Sequence, residues 1–287
     1  MKIGLELGSY TWDGGPARIG ETLADTVRTA DEAGFALIGV GDHLWQGPHA
    51  GGLEEPMLEC FTVLGAIAAH TRNCLLGPVV AGVHLRHPAL LAKMVTSLDV
   101  LSGGRAMLGL GVGWYEEEAR GLGIPYPSLG ERFELLEETA RICHRLWGDG
   151  DEPYEGTHHR LERPIGVPAN LSAPHPPIMI GGGGDRTLRL VARHADACNL
   201  YPGPDLAEKL ALLRRHCEAE GRAYETIEKT CILPFDVGPD GAGCGDLADT
   251  LRGLAGQGID LAIGILSGPD PVRDVELLAG KVLPALD

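Results

Sequence analysis

The chain has 287 residues, 44% of them hydrophobic and 22% charged, with 24 Lys+Arg against 40 Asp+Glu for a net charge of −16. That apolar fraction supplies a substantial core, and the length fits either two average domains or one large barrel. The acidic balance argues against nucleic acid and against an electrostatic hold on a membrane, while leaving room for an anionic small ligand held by local backbone amides.

Lys2 to Leu7 reads as a strand and lacks the basic and long apolar regions of a signal peptide. A helix follows with Ile19, Leu23, Val27 and Ala30 on one face and Gly34 in the stop position. Leu37 to Gly41 is the second strand, and Leu58, Phe61, Leu64 and Ile67 mark the second helix. Cys74 to Val80 is the third strand. Pro88 then opens a helix carrying Leu91, Met94, Val95 and Leu98, which Gly103 and Gly104 close. Arg105 to Val112 is the fourth strand, and its helix shows Phe133, Leu136, Ala140, Cys143 and Trp147 at helical spacing.

Residues 148–176, rich in Pro, Gly and His, break the rhythm and read as an excursion or short hairpin inside a single domain spanning 1–287. Pro177 to Ile180 is the fifth strand, with Leu188, Val191 and Ala195 on its helix. Ala197 to Leu200 is the sixth, followed by Leu206, Leu210, Leu213 and Cys217. The seventh lies near Lys229 to Phe235, before Leu247, Leu251 and Leu254. Leu261 to Leu266 is the eighth, and Val275, Leu278 and Val282 mark its helix. This alternation predicts an α/β fold, a (β/α)8 TIM barrel with an insertion between the fourth helix and the fifth strand. Alternation alone also admits a doubly wound sheet; the count of eight units favours closure.

No apolar run is long enough to span a bilayer. The seven cysteines (Cys60, Cys74, Cys143, Cys198, Cys217, Cys231, Cys244) are scattered and free of C-x-x-C spacing, which suits reduced core residues of a cytoplasmic protein.

In such barrels chemistry sits at the carboxyl ends of the strands. There the chain places "GSYTWDGG" with Tyr10 and Trp12, "GDHLWQGP" with Asp42, His43 and Trp45, "GPVVAGVHLRHP", "GLGVGWYEEE" with Trp114, and a run of four glycines, Gly181 to Gly184. Tyr10, Trp12, Trp45 and Trp114 are candidate walls of a pocket for a flat, apolar or aromatic molecule. Asp42-His43 reads either as a helix cap beside a surface histidine or as a functional pair. Glu116 and Glu118 read as the acidic first turn of a helix. Four glycines exceed what a turn needs, and the helix start behind them offers amides to an anion. No metal site is expected: His84-x-x-His87 and His158-His159 lack zinc spacing. With no G-x-S-x-G elbow and no P-loop, a hydrolase reading has neither nucleophile nor metal.

The segments "GFALIGVGDHL", "RHPALLAKMVTSLDVLSGGRAMLGLGVGW", "ERFELLEETARICHRLW" and "PPIMIGGGGDRTLRLVARHADACNL" together resemble the luciferase-like monooxygenase superfamily, in its branch using the deazaflavin coenzyme F420. The resemblance implies a barrel with a flavin or deazaflavin across the strand ends, its phosphate against Gly182, Gly183 and Gly184. It implies a non-prolyl cis peptide at Val79-Val80. Asp42, Val79, Val80, Gly111, Val112 and Gly113 complete the implied cofactor contacts. His43 matches a residue over the reactive ring in some relatives, where it would donate a proton or orient substrate; a structural role stays open. An acid of a sugar-phosphate-oxidising relative is replaced here by Trp114, which makes sugar phosphate a poor candidate, and Glu117 stays open as an acid pointing inward. The implied activity is hydride transfer between F420 and a small organic substrate. The alternatives are an FMN-dependent monooxygenase served by a partner flavin reductase, and a non-catalytic flavin-binding relative. Many relatives form homodimers through barrel helices, and the same is expected here.

Overall fold

The computed structural model describes residues 1–286, without the side chain of His49; Asp287, the last residue of the expected domain, lies outside the described residues. In chain order the strands and helices begin with β1 (Lys2–Leu7), α1 (Ile19–Glu32), β2 (Leu37–Val40), α2 (Cys60–His70), β3 (Leu75–Pro78), β4 (Ala81–Gly82), α3 (Pro88–Ser102) and β5 (Leu108–Gly111). Next come α4 (Glu116–Gly121), α5 (Leu129–Trp147), the hairpin β6 (Tyr154–Glu155) and β7 (Arg160–Leu161), β8 (Ile178–Gly181) and α6 (Asp185–His194). The chain finishes with β9 (Ala197–Leu200), α7 (Leu206–Ala219), β10 (Glu228–Pro234), α8 (Cys244–Gly256), β11 (Leu261–Ile265) and α9 (Pro271–Leu277).

The main sheet is parallel, in the order β3-β2-β1-β11-β10-β9-β8-β5-β4. Its two ends are consecutive pieces of one broken strand, and a Leu76–Ala106 bridge, with Met107 N donating to Leu76 O at 2.8 Å, joins β3 to the approach to β5. The sheet is a barrel, as the eight units predicted. Strands buried on both faces carry continuous apolar runs instead of alternation, as in "LIGV" of β2 and "LAIGI" of β11. Leu37, Val79, Met107, Met179, Ile232 and Ile263 fill the barrel, while a larger layer packs the helices on its outside. Each such fully buried side chain contributes about 1.5–3 kcal/mol.

Differences from the sequence reading are local. The third strand does not run unbroken to Val80: it ends at Pro78, and the peptide Val79-Val80 is cis, as the resemblance implied. Leu58 precedes α2, and Ala195 is the C-cap of α6. The segment 148–176 contains the β6–β7 hairpin. All seven cysteines are free and buried. Among the described residues no helix is long and apolar enough to cross a membrane.

Asp99, fully buried on α3, anchors the end of this insertion. It accepts from Leu171 N at 2.6 Å, Ser172 N at 3.0 Å, Ser172 Oγ at 2.5 Å and Ala106 N at 3.3 Å. Hydrogen bonds to a carboxylate are the stronger kind, and losing it strands the buried Ala106 amide and frees those of Leu171 and Ser172. Asp99→Ala should therefore lower stability by about 3 kcal/mol and speed amide exchange at Leu171 and Ser172. Unchanged exchange there would show that the insertion is held by something else.

Candidate active site

A cavity of about 390 Å³ opens at the carboxyl ends of the strands. Glu6 of β1 lines it, with Asp42 and His43 after β2, Val79 and Val80 between β3 and β4, and Trp114, Tyr115 and Glu118 after β5. Gly181, Gly182 and Asn199 complete the wall from β8 and β9.

Glycines shape it by close approach. A Cβ on Gly109 would lie 2.2 Å from Pro78 O, and one on Gly111 2.7 Å from Val80 Cγ2. On Gly181 it would meet Val80 at 3.1 Å. The same logic seats His84, since a Cβ on Gly113 would lie 2.4 Å from its Cε1. His84 stands edge-on to Tyr126, and neither ring nitrogen has a hydrogen-bond partner among the described residues. Burial, helped by the Arg132 charge, pushes its pKa down to about 4, so the ring is neutral at pH 7.

Asp42 is a scaffold with its valences engaged: Arg86 Nη1 donates to its two oxygens at 2.9 and 2.7 Å, and Gly82 N to Oδ2 at 3.2 Å. Arg86 also reaches Glu59 at 2.7 Å. His43 is tied differently. Its Nδ1 lies 3.1 Å from Glu118 Oε2, while Leu44 N and Trp45 N donate to Oε1 at 2.6 and 2.9 Å. Burial alone would raise Glu118, but His43 and the two amides hold its pKa below the ordinary value. An ionised acceptor places the proton on Nδ1 and leaves the Nε2 lone pair free of any partner among the described residues. The ring also sits against Trp114 and Tyr115, whose own rings stack 4.9 Å apart.

Glu6 has neither kind of support. It is 8% exposed, and no hydrogen bond reaches its carboxyl among the described residues. A Cβ on Gly8 or Gly41 would fall within 2.7 Å of its Oε1, so bare backbone encloses it. Burial, only partly offset by the His43 charge, pushes its pKa up to about 7.

The glycine run divides by residue. Gly182 has φ of +119°, a value that favours glycine, and its N–H already donates to Asn199 O at 2.9 Å. This corrects the implied role of its amide at a phosphate. Gly183 lies under the stem of Lys209, whose Cδ would be 2.8 Å from a Cβ there. Gly184 caps α6 with no side-chain acceptor on its first-turn amides.

Several expected residues do meet at the cavity: Asp42, His43, Val79, Val80, Gly111, Val112, Gly113, Gly182 and Trp114. Gly183 and Gly184 lie beyond its wall. Tyr10 and Trp12 do not line it; they pack edge to face at 5.3 Å in the core, where burying two large rings outweighs displaying them. Trp45 lies against Gly121 in a separate, open recess with Leu53 and Arg120. The acid that points inward is Glu118, not Glu117, which is exposed as Glu116 is. Glu6 and His84 were missed, although a charged residue inside an apolar strand was a signal for the first. Among the described residues no cluster of three or more His, Cys, Asp or Glu is placed to hold a metal.

Comparison with known proteins adds the following. A family model for luciferase-like monooxygenases matches residues 9–258. An F420-dependent glucose-6-phosphate dehydrogenase of Nakamurella multipartita is 32% identical over 211 residues, covering 72% of this chain and 60% of that protein, so the chain spans less than two thirds of this relative. Among solved structures, monooxygenase RslO1 from Streptomyces bottropensis superposes with a TM-score of 0.83 at 22% identity, covering both chains fully. The coenzyme F420-dependent tetrahydromethanopterin reductase of Methanopyrus kandleri gives 0.79 at 19%, covering 100% of this chain and 99% of that one.

The raised Glu6 pKa has a sign in stability. The folded chain retains a proton that the unfolded chain gives up above the ordinary value of 4.5, so stability falls as pH rises from there and levels off above about 7. The full loss is about 3 kcal/mol. Glu6→Gln should melt several degrees above the parent at pH 8, with the gap closing towards pH 4.5. A difference in Tm that ignores pH would show that Glu6 does not titrate in the fold.

Proposed function

Since this chain belongs to the luciferase-like monooxygenase family, we propose that it is an F420-dependent oxidoreductase acting on a small organic substrate without a phosphate. The observation that carries the reading is the His43–Glu118 pair, which presents an imidazole nitrogen to a strand-end cavity backed by Val79 and Val80. The F420-dependent activity in the name of the Nakamurella relative supports the choice of cofactor.

The cavity suits a flat ring: its glycines bring backbone close, and the His84 nitrogens and the Glu6 carboxyl are polar groups without a hydrogen-bond partner among the described residues. A bound deazaflavin supplies a ring carbon that takes or gives a hydride. Val79 and Val80 would back the ring, and His84 would offer its edge a hydrogen bond. Gly183, Gly184 and the Lys209 ammonium would hold an anionic tail at the start of α6. His43 Nε2 accepts the proton that leaves a substrate hydroxyl as its carbon loses hydride, or returns it in the opposite direction. Glu118 fixes the tautomer and steadies the imidazolium. Trp114 and Tyr115 keep water from the reacting atoms.

The lining supports an uncharged substrate. It contains the carboxyls of Glu6, Asp42 and Glu118 and no Lys or Arg side chain. A phosphate dianion about 5 Å from one ionised carboxylate would meet about 3 kcal/mol of repulsion per unit charge at an effective dielectric of about 20.

Titration should show F420 binding with quenched tryptophan fluorescence, and more tightly than FMN; tighter FMN would favour the monooxygenase alternative. With F420 bound, uncharged alcohols or carbonyl compounds should change the deazaflavin absorbance and glucose 6-phosphate should not. Turnover of glucose 6-phosphate would overturn the substrate reading. His43→Asn and Glu118→Gln should each lower kcat about 100-fold with cofactor affinity retained, and full turnover in both would assign the pair to structure.

A further inference from the structure

We propose that Glu6 governs the charge of what the cavity accepts: it stays a neutral acid facing the bound ring, donates a hydrogen bond to it, and so makes occupancy take up a proton. This rests on the cofactor reading above.

Three observations converge on it. Glu6 is more than nine-tenths buried, lines the cavity, and has no hydrogen-bond partner among the described residues. The backbone of Gly8 and Gly41 closes around its oxygens, leaving no room for a side chain that would pair with it. The titratable groups facing it are His43 after β2, Tyr10 after β1 and Cys60 of α2. Tyr10 and Cys60 are both pushed above their ordinary values, chiefly by burial, so each stays protonated and neutral. His43, whose Nδ1 faces Glu118, offsets the burial of Glu6 only in part. Asp42 is already matched by Arg86. From β10 and β11 the cavity receives Ile232 and Ile265, which are apolar.

An ionised carboxyl in that setting would turn its lone pairs towards the carbonyl oxygens and ring nitrogens of a flavin-type system. A protonated one offers those acceptors a donor. Filling the cavity also removes the residual water that stabilises the charged form, so the bound state favours the proton still more. Binding therefore draws one proton from solvent whenever Glu6 is ionised beforehand.

The experiment is binding of F420, and separately of FMN, between pH 7 and 9, where a phosphomonoester is already fully ionised. For the parent chain, Kd should rise with pH, by up to about tenfold per pH unit. Calorimetry at pH 8 in buffers of different ionisation heat should register uptake approaching one proton per site. Glu6→Gln keeps the shape and an N–H donor but cannot titrate, and its Kd should stay nearly flat. Should that variant fail to fold, the proton count of the parent decides alone. Affinity that rises with pH, no proton uptake, or an equal pH slope in the Gln variant would each overturn the proposal. Absence of binding by either ligand at every pH would instead bring down the cofactor reading, and this inference with it.

Discussion

Val80 leaves the third barrel strand into a space that only hydrogen atoms on the facing backbone leave free. Gly109, Gly111 and Gly181, from two neighbouring strands, each present a Cα where a Cβ would lie 2.2–3.1 Å from Pro78 or Val80. Gly39 makes the same allowance for Val79, whose Cγ2 would be 2.3 Å from a Cβ there. The break between β3 and β4 can turn into the barrel mouth because these strands carry no side chains there. Without that turn the mouth would be filled by residues, as the barrel interior is by Leu37, Met107 and Met179. Packing of the third strand against bare backbone thus converts the end of a closed core into a cavity.

Once the mouth is open, the carboxyls around it differ by their partners. Asp42 is matched by Arg86 and serves to hold β4 through Gly82 N. Glu118 is matched by two amides and an imidazole, and its ionisation orients His43. Glu6 has no hydrogen-bond partner among the described residues, only the His43 charge against its burial, and holds its proton to about 7. Burial is common to all three: it outweighs the Arg86 and Gly82 donors at Asp42, whose pKa stays raised, and meets no donor at Glu6, while at Glu118 the imidazole and two amides overcome it. This division pushes pKa values apart within one site, which is the condition for separate acid, base and positioning roles.

The barrel was legible because periodicity is local. Apolar strands, amphipathic helices and glycine stops repeat within windows of a dozen residues, and the Pro88 and Gly103 punctuation stands where it was read. The site was legible only in outline. Strand ends follow from the fold, and Asp42, His43 and Trp114, read from them, line the mouth. Pairings across the barrel were not, since His43 and Glu118 are 75 residues apart and no spacing rule links them. Within "YEEE" three adjacent acids are equivalent to a helix-dipole argument, yet only Glu118 turns inward on the short α4. Aromatic residues misled for a related reason: Tyr10 and Trp12 suit a pocket wall and a core equally, and burial favours the core. At Gly182 the sequence shows a free amide, while the β8–β9 ladder shows it taken.

The acidic surface and an anionic ligand are compatible because distance and screening separate them. At physiological ionic strength charges more than about 8 Å apart across solvent largely cease to interact, so most of the net −16 does not reach the start of α6. There the uncapped amides after Gly184 and the Lys209 ammonium act against two local acids, Asp185 in the first turn of α6 and Asp205, 2.9 Å from Lys209. Inside the mouth the balance reverses, with carboxyls and, among the described residues, no Lys or Arg side chain in the wall. A ligand charged at one end and carrying a neutral, acceptor-rich ring at the other meets donors at both places only in one orientation, tail towards Gly183 and ring towards Glu6. Turned around, it would bring its charge to a wall that holds the ionised Glu118 carboxylate. Under the proposed function, the contrast between rim and floor would set the direction of such a ligand, because donors and carboxylates stand at different depths.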